Sequence, residues 1–163
     1  MNVLFETYIT HIARRFLTPE GWTVTAQKPQ RPALWRGAVG LFQMKPDIVL
    51  QRGGCTLILD TKWTRLIPEA QDPKRGISQA DVYQMMAYAA AYGASAVALI
   101  YPHSDGNAEF DLLRIGASGG RIAAVTLPVQ ELGLVPTRLR NLVSALSGNA
   151  TPDPALRSQS ELF

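Results

Sequence analysis

The sequence predicts a single α/β domain: a central mixed β-sheet with helices on both faces. Three observations predict it. The chain has 163 residues, a length that suits one hydrophobic core rather than two. Its apolar share of 47% is enough to fill that core. Along the chain, segments of helical spacing alternate with short apolar runs bounded by glycine, proline or polar residues.

Residues 3–17 carry apolar side chains at 4, 5, 8, 9, 12, 13 and 16, which is helical spacing. Arg14 and Arg15 suit the C-terminal end of that dipole, and Pro19 and Gly21 end the helix. Residues 22–26 (WTVTA) read as a short strand, and the proline-rich, basic stretch 27–39 reads as a loop. Residues 41–50 and 55–63 read as two strands joined by Arg52-Gly53-Gly54, a hairpin signal. A polar loop follows over 64–76. Ser78 then opens a helix, with Asp81 completing an S-x-x-D capping box and Gly93 stopping it after Tyr92. Residues 96–101 (AVALIY) predict a strand buried on both faces, and 109–115 and 121–127 two more around a Ser-Gly-Gly turn. A last helix is expected over 137–147. The domain therefore spans 1–147, and residues 148–163, with little to bury, read as a flexible tail.

Several function classes fall away. The single cysteine, Cys55, rules out an internal disulfide and a multi-cysteine zinc site, and its apolar surroundings suit a small buried hydrophobe. No secretory signal opens the chain, so a cytoplasmic location is expected. The stretch Val82–Pro102 holds no formal charge, but Gln84, Gly93, Ser95 and four tyrosines dilute it. It reads as a helix, a stop and a buried strand, not a membrane span. Charge is uneven: residues 1–75 hold 11 Lys/Arg against 6 Asp/Glu, and the rest hold 5 against 7. A basic half suits a polyanionic partner, or simply a soluble surface.

The residues with chemistry gather on the predicted hairpin. Asp60 and Lys62 are two apart on one strand, so they share a face. Hairpin pairing brings Asp47, which follows Pro46, opposite or diagonal to them. Buried charges need partners or a cation, and an Asp60–Lys62 pair alone leaves Asp47 unexplained. Two hard carboxylates suit Mg²⁺, which can polarise a phosphate and activate a water. A lysine beside them can orient that water and stabilise negative charge. P-D and D-x-K are weak signals singly. Spaced by 12 residues around a glycine turn, on an apolar strand, they form a phosphodiester-hydrolysis pattern. Gln84 and Tyr88 lie i, i+4 on one helix face, where they could bind phosphate or hold a catalytic group. Glu6, among Leu4, Phe5 and Tyr8, could add an outer carboxylate. Either feature alone would read as an ordinary surface. Trp35, Trp63 and Tyr83 could stack on bases, but core or rim packing is the simpler reading. His11 and His103 have no partner at ligand spacing.

At KPDIVLQRGGCTLILDTKW and GISQADVYQMMAYAAAYGASAVALIYP the sequence resembles the nuclease-domain family of McrC, within the PD-(D/E)XK superfamily. McrC is the cleaving subunit of the McrBC system, which restricts DNA containing modified cytosine. LFETYI near the start resembles the opening of the same domain, and the resemblance covers roughly residues 3–130. It implies a restriction-endonuclease-like fold and a Mg²⁺-dependent DNA endonuclease in antiviral defence, with Mn²⁺ substituting. By that resemblance Asp47 and Asp60 would ligate the metal with the Thr61 carbonyl, and Lys62 would be the catalytic lysine. Glu6 would match the acidic residue of the first helix, a further metal ligand, and Gln84 and Tyr88 the Q-x-x-x-Y element. Double-stranded DNA would be the substrate. Family members carry a further N-terminal region that docks onto an AAA+ GTPase motor, McrB. This sequence starts close to the nuclease helix, so a McrB-like motor would need a region or chain outside it. No P-loop is present, and reading of the modified base belongs to the motor, so that specificity does not transfer. Two other readings stay open: a non-catalytic DNA- or protein-binding module of the same fold, and a repair exonuclease or junction resolvase.

Overall fold

The computed structural model describes residues 2–26, 30–66, 71–103 and 120–148, and the backbone of 110–115. Helix α1 (Asn2–Leu17) leads through a 3-10 turn (Thr18–Glu20) into β1 (Thr23–Ala26), β2 (Arg31–Arg36), β3 (Val39–Met44), β4 (Ile48–Arg52) and β5 (Cys55–Thr61). Then come α2 (Gln79–Tyr92), β6 (Ala96–His103), β7 (Phe110–Ile115), β8 (Gly120–Pro128), a 3-10 turn (Leu132–Leu134) and α3 (Val135–Leu146).

Six strands form a mixed sheet in the order β1-β4-β5-β6-β8-β7. β5, β6 and β8 run parallel, and β1, β4 and β7 are antiparallel to their neighbours. The parallel β5–β6 pair needs a crossover, which α2 supplies. Side-chain alternation then builds two cores. Leu57 and Leu59 of β5 pack with Phe5, Ile9 and Leu17 of α1 and Leu139 and Leu142 of α3. Ile58, pointing the other way, packs with Met85, Tyr88 and Tyr92 of α2 and Leu99 and Tyr101 of β6. Each such Leu or Ile withdrawn from water stabilises the fold by about 1.5–3 kcal/mol. The expected mixed sheet with helices on both faces is therefore what forms. Cys55 is half-buried against the first core, as a small hydrophobe. Among the described residues no helix is long and apolar enough to cross a membrane.

Four local expectations need correction. The stretch 41–50 is two strands, because Pro46 has no N–H to donate and breaks the ladder before Asp47. Residues 31–36, expected as loop, form β2 and pair with β3 in a separate two-stranded ribbon. Trp35 on that ribbon is exposed rather than packed. The capping box is not made: Ser78 stands at the N-cap without a side-chain bond, and Asp81 faces Lys62 instead. The hairpin turn does form at Gly53-Gly54, whose φ angles of 54° and 79° suit a turn left-handed at both positions. The expected tail beyond residue 148 lies outside the described residues.

Candidate active site

The β4–β5 register sets the geometry. Ile48 pairs with Leu59, so the next step along the ladder puts Asp47 opposite Asp60. Asp47 Oδ2 accepts 2.7 Å hydrogen bonds from both the Thr61 N–H and the Thr61 hydroxyl. The carboxylate thus takes up a β5 donor that β4, interrupted at Pro46, no longer serves. A strand residue turns its N–H and C=O to the same side, so the Thr61 carbonyl also faces the Asp47 edge.

Asp60 and Lys62 share the α2-facing side of β5, as their spacing requires. Asp60 is only 4% exposed. Burial, then the charge of Asp47, pushes its carboxyl up from 3.8 to about 6, even though Lys62 pulls the other way. Lys62 Nζ lies 2.8 Å from Asp60 Oδ2, 2.7 Å from Gln84 Oε1 and 3.3 Å from Asp81 Oδ1. Burial works against that ammonium. Its hydrogen bond with Asp60 and the charges of Asp60 and Asp81 more than offset burial and hold it above the usual lysine range. Both members of one ion pair are therefore raised. For Asp60, desolvation and a second carboxylate outweigh the single cation.

Helix α2 presents Asp81, Gln84 and Tyr88 on one face, at i, i+3 and i+7. Gln84 Nε2 donates to the Tyr88 hydroxyl at 2.9 Å, and that hydroxyl donates to the Lys45 carbonyl at 3.2 Å. Burial, then the charges of Asp60 and Asp47, raises the Tyr88 phenol well above the usual range. The chain Lys62–Gln84–Tyr88–Lys45 ties the end of β5 to the segment before Asp47. A cleft of about 400 Å³ opens here, lined by Lys45, Asp47, Asp60, Lys62, Gln84 and Tyr88, with Asn2 and Trp63 at its rim.

The residues singled out in the sequence divide clearly. Asp47, Asp60, Thr61, Lys62, Gln84 and Tyr88 all line this cleft. Glu6 is half-buried one helical turn beyond Asn2, which forms the cleft wall on that side. The neighbour of Glu6, Phe5, packs its ring 5.5 Å from that of Trp63. Three residues were missed. Asp81 fits a helix cap by sequence, and its i, i+3, i+7 spacing with Gln84 and Tyr88 is the signal that it shares their face. Lys45 was read only as part of the basic half. Tyr101 on β6, next to Lys62 by the Thr61–Ile100 register, is buried, and its hydroxyl has no hydrogen-bond partner among the described residues. Nothing in the sequence distinguished it from a core tyrosine.

Among the described residues no three His, Cys, Asp or Glu side chains converge at ligand spacing. The donor set offered by side chains is the Asp47–Asp60 pair. It fits a hard cation that keeps much of its water, since the pair's mutual repulsion already raises Asp60 and a divalent ion would relieve it.

Residues 1–102 match the family model described as McrBC 5-methylcytosine restriction system component. No curated protein matches the chain. Among solved structures, the crystal structure of AF1548, a protein of unknown function, is similar at 14% identity and a TM-score of 0.38. That similarity covers 60% of this chain and 47% of the other, so this chain spans about half the length of that structure.

Proposed function

The chain belongs to the McrBC 5-methylcytosine restriction system component family, and on that basis we propose that it is a Mg²⁺-dependent endonuclease that hydrolyses phosphodiester bonds of double-stranded DNA. Its sheet and flanking helices have the architecture expected of a restriction-endonuclease-like domain. The observation that carries the reading is the carboxylate pair: Asp60, buried and raised to about 6, stands beside Asp47 in an open cleft with Lys62 against it. Burying the Asp60 carboxylate is costly to the fold, and strongly shifted groups in clefts cluster at functional sites.

Asp47 and Asp60 would hold the metal, joined by the Thr61 carbonyl. Mg²⁺, or Mn²⁺ in its place, would supply there a Lewis acid able to polarise a phosphate and acidify a water. Lys62 orients that water and stabilises the charge that develops on the phosphate oxygens. Gln84 fixes the Lys62 ammonium through its amide oxygen, and Tyr88 fixes Gln84. Lys45, at the cleft wall, neutralises a neighbouring phosphate. The raised Lys62 remains an ammonium at neutral pH, so it acts as a donor and counter-charge rather than as a base. A McrB-like AAA+ GTPase would recruit the domain.

The test is plasmid cleavage in Mg²⁺ by wild type, Asp60→Ala and Lys62→Ala, with folding checked by circular dichroism. Loss of cleavage in both folded variants is expected. Cleavage persisting in both would overturn the assignment and favour a non-catalytic binding module.

A further inference from the structure

The β2–β3 ribbon lies outside the main sheet, and its side chains take no part in the catalytic chain. Leu34, Trp35, Val39 and Phe42 are 58–71% exposed. That is a dense group of large apolar side chains to leave in water on two six-residue strands. Phe42 has φ 56°, rare for a bulky residue, and it interrupts the pairing between Leu34–Leu41 and Pro32–Gln43.

Charge identifies the occupant. From Gly21 to Pro46 the sequence holds no Asp or Glu and four basic residues, Lys28, Arg31, Arg36 and Lys45. A protein docking site of ordinary composition mixes signs at its rim, whereas one sign over so long a stretch favours a polyanion. Position agrees. Tyr92 donates to the Met44 carbonyl at 3.0 Å, and the Arg31 guanidinium lies 5.0 Å from the centre of the Tyr92 ring. These contacts fix the base of the ribbon to α2. Lys45, the residue after β3, already lines the cleft. Ribbon and cleft therefore adjoin at Lys45. Six residues of strand reach about 20 Å, or roughly six base pairs. A two-stranded ribbon is also an element the major groove admits.

We infer that the β2–β3 ribbon is a duplex-gripping arm: it enters a groove of the DNA whose phosphodiester sits in the cleft. Trp35 and Phe42 lie against sugars and base edges, and Arg36, on the other face of the ribbon with Leu34 and Val39, meets the backbone. The inference rests on the nuclease reading.

The test uses a fluorescein-labelled 24-base-pair duplex in metal-free buffer, read by anisotropy, for wild type, Arg36→Ala and the double variant Trp35→Ala/Phe42→Ala. Hydrolysis of bis(p-nitrophenyl) phosphate in Mg²⁺, a substrate too small to touch the ribbon, is measured in parallel. All substituted side chains are exposed, so melting temperatures should match; Trp35→Phe provides a milder variant if the double one does not fold. The expected result is at least tenfold weaker duplex binding by the double variant, with unchanged small-substrate hydrolysis. For Arg36→Ala, binding weakens and the salt slope falls by about one. Wild-type affinity and salt slope in every variant would overturn the inference while leaving the nuclease reading in place, and would give the ribbon to a protein partner. A wild type that neither binds duplex nor hydrolyses the small substrate would overturn both.

Discussion

Replacing Asp60 with Asn should make the metal-free protein more stable. The buried carboxyl is raised from 3.8 to about 6 by desolvation first and Asp47 second. A raised carboxyl binds its proton more tightly in the folded chain than in the unfolded one. Between pH about 4 and about 6 the folded state therefore loses stability as pH rises, and above about 6 the full penalty is present. Roughly two pKa units correspond to about 3 kcal/mol. An Asn at this position resembles the protonated acid: it can still accept from Lys62 through Oδ1 but no longer repels Asp47. For a chain of this size each kcal/mol moves the midpoint by about 2–4 °C, so the variant should melt about 6–12 °C higher at pH 8. The gap should close towards pH 4, where wild type also carries the proton. Circular dichroism melts in EDTA at pH 4.5, 6 and 8 measure this directly. Adding Mg²⁺ should then raise the wild-type midpoint and not that of the variant, through mass action on the folded state. A variant that melts at or below wild type at pH 8 would refute the reasoning. It would make the 2.8 Å Asp60–Lys62 contact a net stabilising salt bridge rather than a site held at the fold's expense.

Other perturbations separate the parts of the site. Tyr101→Phe removes a buried hydroxyl without a partner and should stabilise the fold by about 1 kcal/mol; a lower urea midpoint would show that the hydroxyl is satisfied after all. Tyr88→Phe removes the bond to the Lys45 carbonyl and the acceptor for Gln84, so it should cost about 1 kcal/mol and slow cleavage, checked by urea titration and plasmid assay. Asp81→Asn weakens the partly exposed 3.3 Å contact to Lys62 and also relieves the repulsion of Asp60, so stability should change by less than about 1 kcal/mol. Gly53→Ala forces a side chain into a φ of 54° and should destabilise by about 1–2 kcal/mol, measured by thermal melting, with cleavage intact below the transition.

The fold was legible where local pattern and burial agreed. The apolar run Leu57–Leu59 could only be a covered strand, and Ala96–Tyr101 likewise. The glycine pair at 53–54 marks the hairpin and brings Asp47 near Asp60, opposite or diagonal; the Ile48–Leu59 register makes it opposite. The β2–β3 ribbon was hidden because its composition contradicts its structure. Pro32, Gly37 and Gly40 look like loop signals, and its large apolar residues are exposed, so neither alternation nor burial marks it as a strand pair. Asp81 was hidden for a different reason. A carboxylate in the first turn of a helix is favourable there by dipole alone. Its pairing with Lys62, 19 residues away along the chain, depends on how α2 crosses the sheet.

The same crossover explains why the site is built where it is. α2 connects β5 to β6 in parallel, so its first turns cross the carboxyl end of β5, where Asp60, Thr61 and Lys62 stand. Ligand sites of open α/β sheets lie at such strand ends, because helix and strand termini leave polar groups that regular pairing does not use. Here the neighbour β4 runs antiparallel and begins, after the break at Pro46, level with that end. Asp47 is thus delivered to the carboxyl end of β5 from the opposite chain direction. Two carboxylates on adjacent strands can be fixed side by side only if both strands are rigid, and both are paired on each edge within the six-stranded sheet. Loosening β4 should therefore weaken metal binding even with every donor intact. Ile48→Ala, which empties a fully buried position beside Asp47, should cost about 2–5 kcal/mol of stability. It should also weaken Mg²⁺ binding measured by calorimetry well below its melting temperature. Unchanged affinity in the folded variant would show that Asp47 is held by its bonds to Thr61 alone.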